Sequence, residues 1–217
     1  MEDPHSVLKG AAGRFPGPVR AVGVNGVTLA YQESGSGHPL VLINGFASTM
    51  DTWNPPFLEE LARHFRTIIF DHRGIGYSSI SDEVFTIPLF AKDTIALMDA
   101  LGIGRAHILG LSMGASVAQE LVLAYPERVE KFILVSGTCG GEGMIRMEQP
   151  VWDTLADKSG SGIDIANRMF SVLFPKAWLA ENDPWKCCPE VHETTSEQNA
   201  ARQAEAFFSW PGTHDRL

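Results

Sequence analysis

Four continuous apolar runs mark the first two thirds of the chain: Leu40-Val41-Leu42-Ile43, Thr67-Ile68-Ile69-Phe70, Ala106–Leu111 and Phe132-Ile133-Leu134-Val135. They are short and rich in β-branched and aromatic residues, which favours strands over helices. A strand with one wet face would alternate polar and apolar positions. These runs do not, so each is expected to be buried on both faces, as strands of a parallel sheet are. Two further strands, Val19–Val24 and Val27–Glu33, flank Asn25-Gly26, a strong hairpin signal. They read as an antiparallel edge.

Helical spacing fills the gaps. Phe57–Phe65 reads as a short helix. Phe90, Thr94, Leu97 and Leu101 recur at helical offsets, and Gly102 and Gly104 end that stripe. Ala115, Ala118, Val122 and Tyr125 form one face of a helix over Ser112–Tyr125, closed by Pro126. Strands alternating with helices predict an α/β fold, a mostly parallel sheet with helices on both faces.

The pattern changes after Gly140-Gly141. Residues 148–210 show no strand periodicity. One helical stripe runs through Ile163, Ala166, Phe170 and Leu173, another is expected within Glu193–Phe208, and four of the five tryptophans lie here. The expected organisation is a flexible leader over 1–18, a core over 19–141 and a helical cap over 142–217, with the cap as an apolar lid.

Composition narrows the function classes. Seventeen Lys and Arg against twenty-six Asp and Glu give a net charge of −9. An acidic chain without a basic patch is a poor nucleic-acid binder. No segment is long and apolar enough to span a bilayer. The leader has no apolar signal region. Cys139, Cys187 and Cys188 are odd in number and two are adjacent, which fits free thiols better than a disulfide framework. A cytoplasmic protein with no bound metal and no cofactor is expected.

The chemistry is concentrated in Gly110-Leu111-Ser112-Met113-Gly114. It fits G-x-S-x-G with a buried strand before it and an amphipathic helix after it. A sharp strand-to-helix turn strains the backbone at the serine, and side chains two residues to either side would collide. The hydroxyl is thereby held out at the carboxyl edge of the sheet, near a helix N-terminus that favours developing negative charge.

From about Val22 to Gly141 the chain resembles the α/β-hydrolase superfamily. The elbow GLSMG is similar to those of cap-bearing serine esterases, lactonases and perhydrolases. DHRGIGYSS (Asp71–Ser79), YPERV (Tyr125–Val129) and SWPGTHDRL (Ser209–Leu217) resemble the loop after the next strand, the link beyond the elbow helix and the end of the cap. The resemblance implies Ser112 as nucleophile and the backbone N–H groups of Phe46 and Met113 as an oxyanion hole, with Gly45, Gly110 and Gly114 as support. Asn44-Gly45 stands where the family usually has His-Gly.

In that family the triad acid and histidine follow later strands. Their positions are expected to lie outside this chain, which leaves acid and base unknown. Glu142 is the carboxylate nearest the strand before the cap. His5, His38, His64, His72, His107, His192 and His214 read as ordinary structural or surface residues; of these only His192 and His214, in the cap, could fold over the site. Two functions follow. One is hydrolysis of a carboxylic ester, lactone or related small acyl substrate through an acyl-enzyme, incomplete or weak in this form. The other is a non-catalytic hydrolase-fold binding module or truncated fragment, with a homodimer or a C-terminal fragment pairing at the open sheet edge.

Overall fold

In chain order the strands are β1 (Ser6–Val7), β2 (Arg20–Val24), β3 (Val27–Ser34), β4 (Pro39–Ile43), β5 (Arg66–Phe70), β6 (Ala106–Leu111) and β7 (Val129–Val135). They form one sheet in the order β1-β2-β3-β5-β4-β6-β7. This computed structural model describes residues 5–8, 15, 17–142, 144–157, 159–189, 191–193 and 195–216. The pairs β4·β5, β4·β6 and β6·β7 are parallel; β1·β2, β2·β3 and β3·β5 are antiparallel. The expected α/β architecture is present, but the sheet is mixed rather than mostly parallel, because β3 joins β5 antiparallel and β1 extends that margin.

The helices between the strands are α1 (Pro55–Ala62), α2 (Ile87–Ala100) and α3 (Met113–Ala124). Asn54 and Thr86 cap α1 and α2 by accepting from the N–H groups of Phe57 and Leu89, and both helices have Pro in their first turn. One face of the sheet, with Val41, Ile43, Ile68 and Ile108, packs against α2 and α3. The other, with Leu40, Leu42, Ile69 and Leu109, packs against Leu58 of α1 and against Met50 and Trp53.

Two compact units divide the chain. The first comprises the described residues of 1–144 and 189–217, the second those of 145–188. The second contains α4 (Gln149–Ala156), α5 (Gly162–Leu173) and α6 (Lys176–Glu181). Ser161 and Asp164 form a capping box at the start of α5. Phe170, Phe174, Trp178 and Trp185 form the unit's aromatic cluster, with Phe174 stacked on Trp178 at 4.7 Å between centroids. No helix among the described residues is long and apolar enough to cross a membrane.

Four features differ from the sequence reading. Ser6–Val7, in the segment read as a loose leader, pairs with β2, and Phe15 is buried; the rest of that leader lies largely outside the described residues. The tail, with α7 (Glu197–Phe208), was grouped with the cap but falls within the first unit. Helix α3 is not amphipathic in place: residues 113–121 are all buried, Gln119 and Glu120 included. The cause is the tail, which covers the polar side of α3. Trp210 Nε1 donates to Glu120 at 2.7 Å, Thr213 Oγ1 donates to Gln119 at 2.6 Å, and Arg216 pairs with Glu120. Finally, β7 is not buried. Phe132, Ile133, Leu134 and Val135 are 41, 50, 41 and 39% exposed, because β7 is the last strand of the sheet among the described residues.

Candidate active site

Ser112 sits between the end of β6 and the start of α3 with φ 54° and ψ −118°. A positive φ is unfavourable for a side-chain-bearing residue and costs on the order of 1–3 kcal/mol. The surroundings enforce it. Ser112 N–H donates to Val135 O at 2.9 Å, and Ala115 N–H donates back to Ser112 O at 2.9 Å. The side chain is exposed.

Gly110 and Gly114 are demanded by contact, and Gly45 is closely packed. A Cβ at Gly110 would lie 2.3 Å from Gly114 O, and one at Gly114 would lie 2.1 Å from Ile43 O. Helix α3 therefore presses directly on the end of β4. At Gly45, a Cβ would lie 3.3 Å from Ser112 Cβ and 3.9 Å from its Oγ. The loop after β4 thus passes beside the serine hydroxyl, where the expected oxyanion donors belong. Met113 is buried at the first turn of α3, and Phe46 is 44% exposed in the facing loop.

Asn44 explains how that loop stands without the family's histidine. Its side chain is buried; Nδ2 donates to Thr49 O at 2.7 Å and Thr52 Oγ1 at 2.8 Å, and Oδ1 accepts from Gly45 N–H at 2.9 Å. Ala47, at φ 52°, donates its N–H to Gln203 Oε1 at 2.8 Å, and Thr195 Oγ1 donates to Ala47 O at 3.1 Å. The loop is held from inside by Asn44 and from outside by the α7 region.

The DHRGIGYSS segment supports this loop. Asp71 accepts from the N–H groups of Met50 at 2.6 Å and Tyr77 at 3.0 Å. Burial pushes its carboxyl up to about 7. Glu193 lies beside it, and burial with the neighbouring Asp71 and Asp51 charges pushes Glu193 up to about 9. Asp51 accepts from the backbone N–H groups of His192 and Glu193. Arg73 is fully buried and pairs through two nitrogens with Asp93 at 2.5 and 2.6 Å, tying the segment to α2.

His72 is buried with its Nε2 3.3 Å from Asn44 O, and burial holds its pKa down at about 4. It is a neutral brace behind the loop. His38 and His107 lie at the opposite end of the strands. His5 contacts Tyr31, and His64 pairs with Glu60 on the surface. Glu142 is exposed. Among the described residues, no side chain hydrogen-bonds the Ser112 hydroxyl.

The structure brings Ser112, Met113 and the Gly45-Phe46 loop together at one turn, and it adds Asp71, Gln203, Gln119 and Glu120 as supports that the sequence reading did not include. Only Asp71 had a signal, being in a quoted motif. The others are polar residues on helices, and nothing in their spacing tells a braced polar side chain from a solvated one.

A strand–turn–helix with a glycine-flanked serine, at the carboxyl edge of the parallel strands of a mixed sheet, is the arrangement of the α/β-hydrolase fold. The chain belongs to the family described as alpha/beta hydrolase fold, whose pattern matches residues 38–163. It is 33% identical over 155 residues to "Putative carbamate hydrolase RutD" of Azorhizobium caulinodans, covering 71% of this chain and 57% of that protein. It is similar in structure to a hydrolase of Pseudomonas aeruginosa (26% identity, TM-score 0.62, 88% of this chain and 71% of that one). The enol-lactonase of Burkholderia xenovorans shares the fold (24% identity, TM-score 0.66, 87% and 73%). The chain spans a little over half the length of its carbamate-hydrolase relative.

Proposed function

We propose that this chain carries the nucleophile and oxyanion portion of a serine hydrolase acting on a carboxylic ester, lactone or related small acyl substrate. The observation that carries the reading is the geometry at Ser112: an exposed hydroxyl on a positive-φ turn, with the Gly45 loop packed against it. In the reaction Ser112 Oγ attacks the acyl carbon, its proton passes to a general base, and the oxyanion is met by the N–H groups of Met113 and Phe46. The alcohol or ring oxygen leaves with a proton. Water then attacks the acyl-enzyme and restores the serine. The name of the Azorhizobium caulinodans relative, a putative carbamate hydrolase, supports acyl chemistry.

The base and acid have no counterpart at Ser112 among the described residues. A serine nucleophile without them retains only about 10³–10⁴ of catalysis over water from the oxyanion hole and binding. The exposed apolar row on β7 favours a second reading, a module that docks a partner strand at that edge, either a C-terminal fragment or a second copy. A fluorophosphonate probe with peptide mass mapping tests the first reading. Slow labelling confined to Ser112 and lost in Ser112→Ala is expected. A folded chain that takes no label there, alone or with a C-terminal fragment added, would overturn it.

A further inference from the structure

At the amino-terminal end of the parallel strands, three side chains from distant parts of the chain converge. His38 immediately precedes β4, His107 is the second residue of β6 and Glu130 is the second residue of β7. Their ligand-capable atoms all lie within 4.8 Å of one another. His38 Nε2 is 2.9 Å from Glu130 Oε2, and the two imidazole centroids are 4.4 Å apart.

The sheet itself creates this cluster. Leu40 faces His107 across β4 and β6. His38, two residues before Leu40, projects on the same side by the two-residue alternation of strands. The β6·β7 register then slips: Ala106 pairs with Val129, but Ile108 pairs with Phe132. Glu130 and Lys131 together oppose the single residue His107, a bulge of the kind that re-aims a side chain. His107 rests edge-on against Phe65 at 5.8 Å, and its Nδ1 is buried with no hydrogen-bond partner among the described residues.

We propose that His38, His107 and Glu130 form a binding site for a divalent transition-metal ion, zinc(II) in particular, with water completing the coordination. Two imidazoles and one carboxylate are a donor set that zinc accepts readily. Around one zinc ion, tetrahedral ligand atoms stand about 3.3 Å apart, given bonds of roughly 2.0–2.1 Å. The side chains of His38 and Glu130 are 39 and 41% exposed and free to close that small gap, while His107 is anchored by its strand. Ser112 lies five residue steps along the chain from His107, roughly 16 Å at strand rise. The ion would not meet the reacting atoms. It would fasten the starts of β4, β6 and β7, and so tie the exposed strand to the interior.

The full chain, free of any affinity tag and stripped with EDTA, is titrated with ZnCl2 by calorimetry and with CoCl2 by visible absorption. One equivalent is expected to bind with a Kd on the order of micromolar. His38→Ala, His107→Gln and Glu130→Ala should each weaken binding at least about tenfold, with far-UV circular dichroism unchanged in the two exposed variants. A Cys187→Ser, Cys188→Ser double variant should bind as the parent does. The proposal is overturned by an absence of saturable binding up to about 1 mM. It is equally overturned by binding that survives both His38→Ala and Glu130→Ala, or that disappears with the cysteines.

Discussion

Strands β6 and β7 are neighbours in the sheet, run parallel and each carry a continuous apolar run, yet these runs live in different environments. In β6, Ile108 is fully buried and Leu109 nearly so. In β7, everything from Glu130 to Val135 is exposed. Each strand is followed by a serine at positive φ, Ser112 at 54° and Ser136 at 50°. The first of these turns feeds a helix wedged under β4; the second feeds a loop. The difference teaches that an apolar run states what a strand is built to pack against, while its neighbours decide whether it is packed.

The sharpest way to break this comparison is to place a charge on each strand. Ile108→Lys should cost more than about 4 kcal/mol and leave little folded protein, since it buries an unpaired ammonium. Ile133→Lys should stay within about 0.5 kcal/mol of the parent and improve solubility. Urea unfolding of both reads the contrast, and equal losses would show β7 to be packed in solution.

The two turns come next. A Cβ at Gly114 meets carbonyl oxygens of Ile43 and Asn44 at 2.1 and 2.6 Å, whereas one at Gly137 meets only the Ala115 methyl closely, at 2.5 Å. Gly114→Ala should cost about 3 kcal/mol, and Gly137→Ala, relieved by a shift of the edge strand, about 1 kcal/mol. Thermal unfolding would rank them, and the opposite order would refute the wedge.

Replacing the strained serines is a smaller test. Ser112→Gly and Ser136→Gly should each gain up to about 1 kcal/mol as strain is released. Only Ser112→Gly should also abolish fluorophosphonate labelling.

The smallest effect concerns pH. Glu193 titrates near 9 and Asp71 near 7 in the folded chain, both raised first by burial. A raised carboxyl pKa means the folded state holds protons that the unfolded state has released. Their contribution is fully present below the unfolded pKa, near 4, and is lost as pH rises through about 7 and then 9. The midpoint temperature should therefore fall by a few degrees between pH 6 and pH 9. Glu193→Gln, which stays neutral, should flatten that slope. An unchanged slope would mean the pair is not buried together in solution.

Much of this was legible in the residues. Uninterrupted apolar runs announced strands β4, β5 and β6 because a parallel interior tolerates no polar alternation. The motif Gly110–Gly114 announced the turn because its steric demand is local: the excluded Cβ positions lie within a few residues or one strand away. Other features had no local signal. Nothing near Glu120 indicates that Trp210 and Arg216 will cover it, and nothing near Ala47 names Gln203. Likewise, 38, 107 and 130 share no spacing; a register and a bulge bring them together.

By itself, the sequence determined the periodicities, and through them the α/β class, the strands, the elbow and its serine. These depend on the backbone's two short repeats and on contacts close in the chain. The tertiary structure alone decided which apolar strand is buried, which polar helix residues are covered and which distant histidines meet. Those outcomes depend on which surfaces face each other, a property that no stretch of residues possesses until the sheet and its helices are assembled.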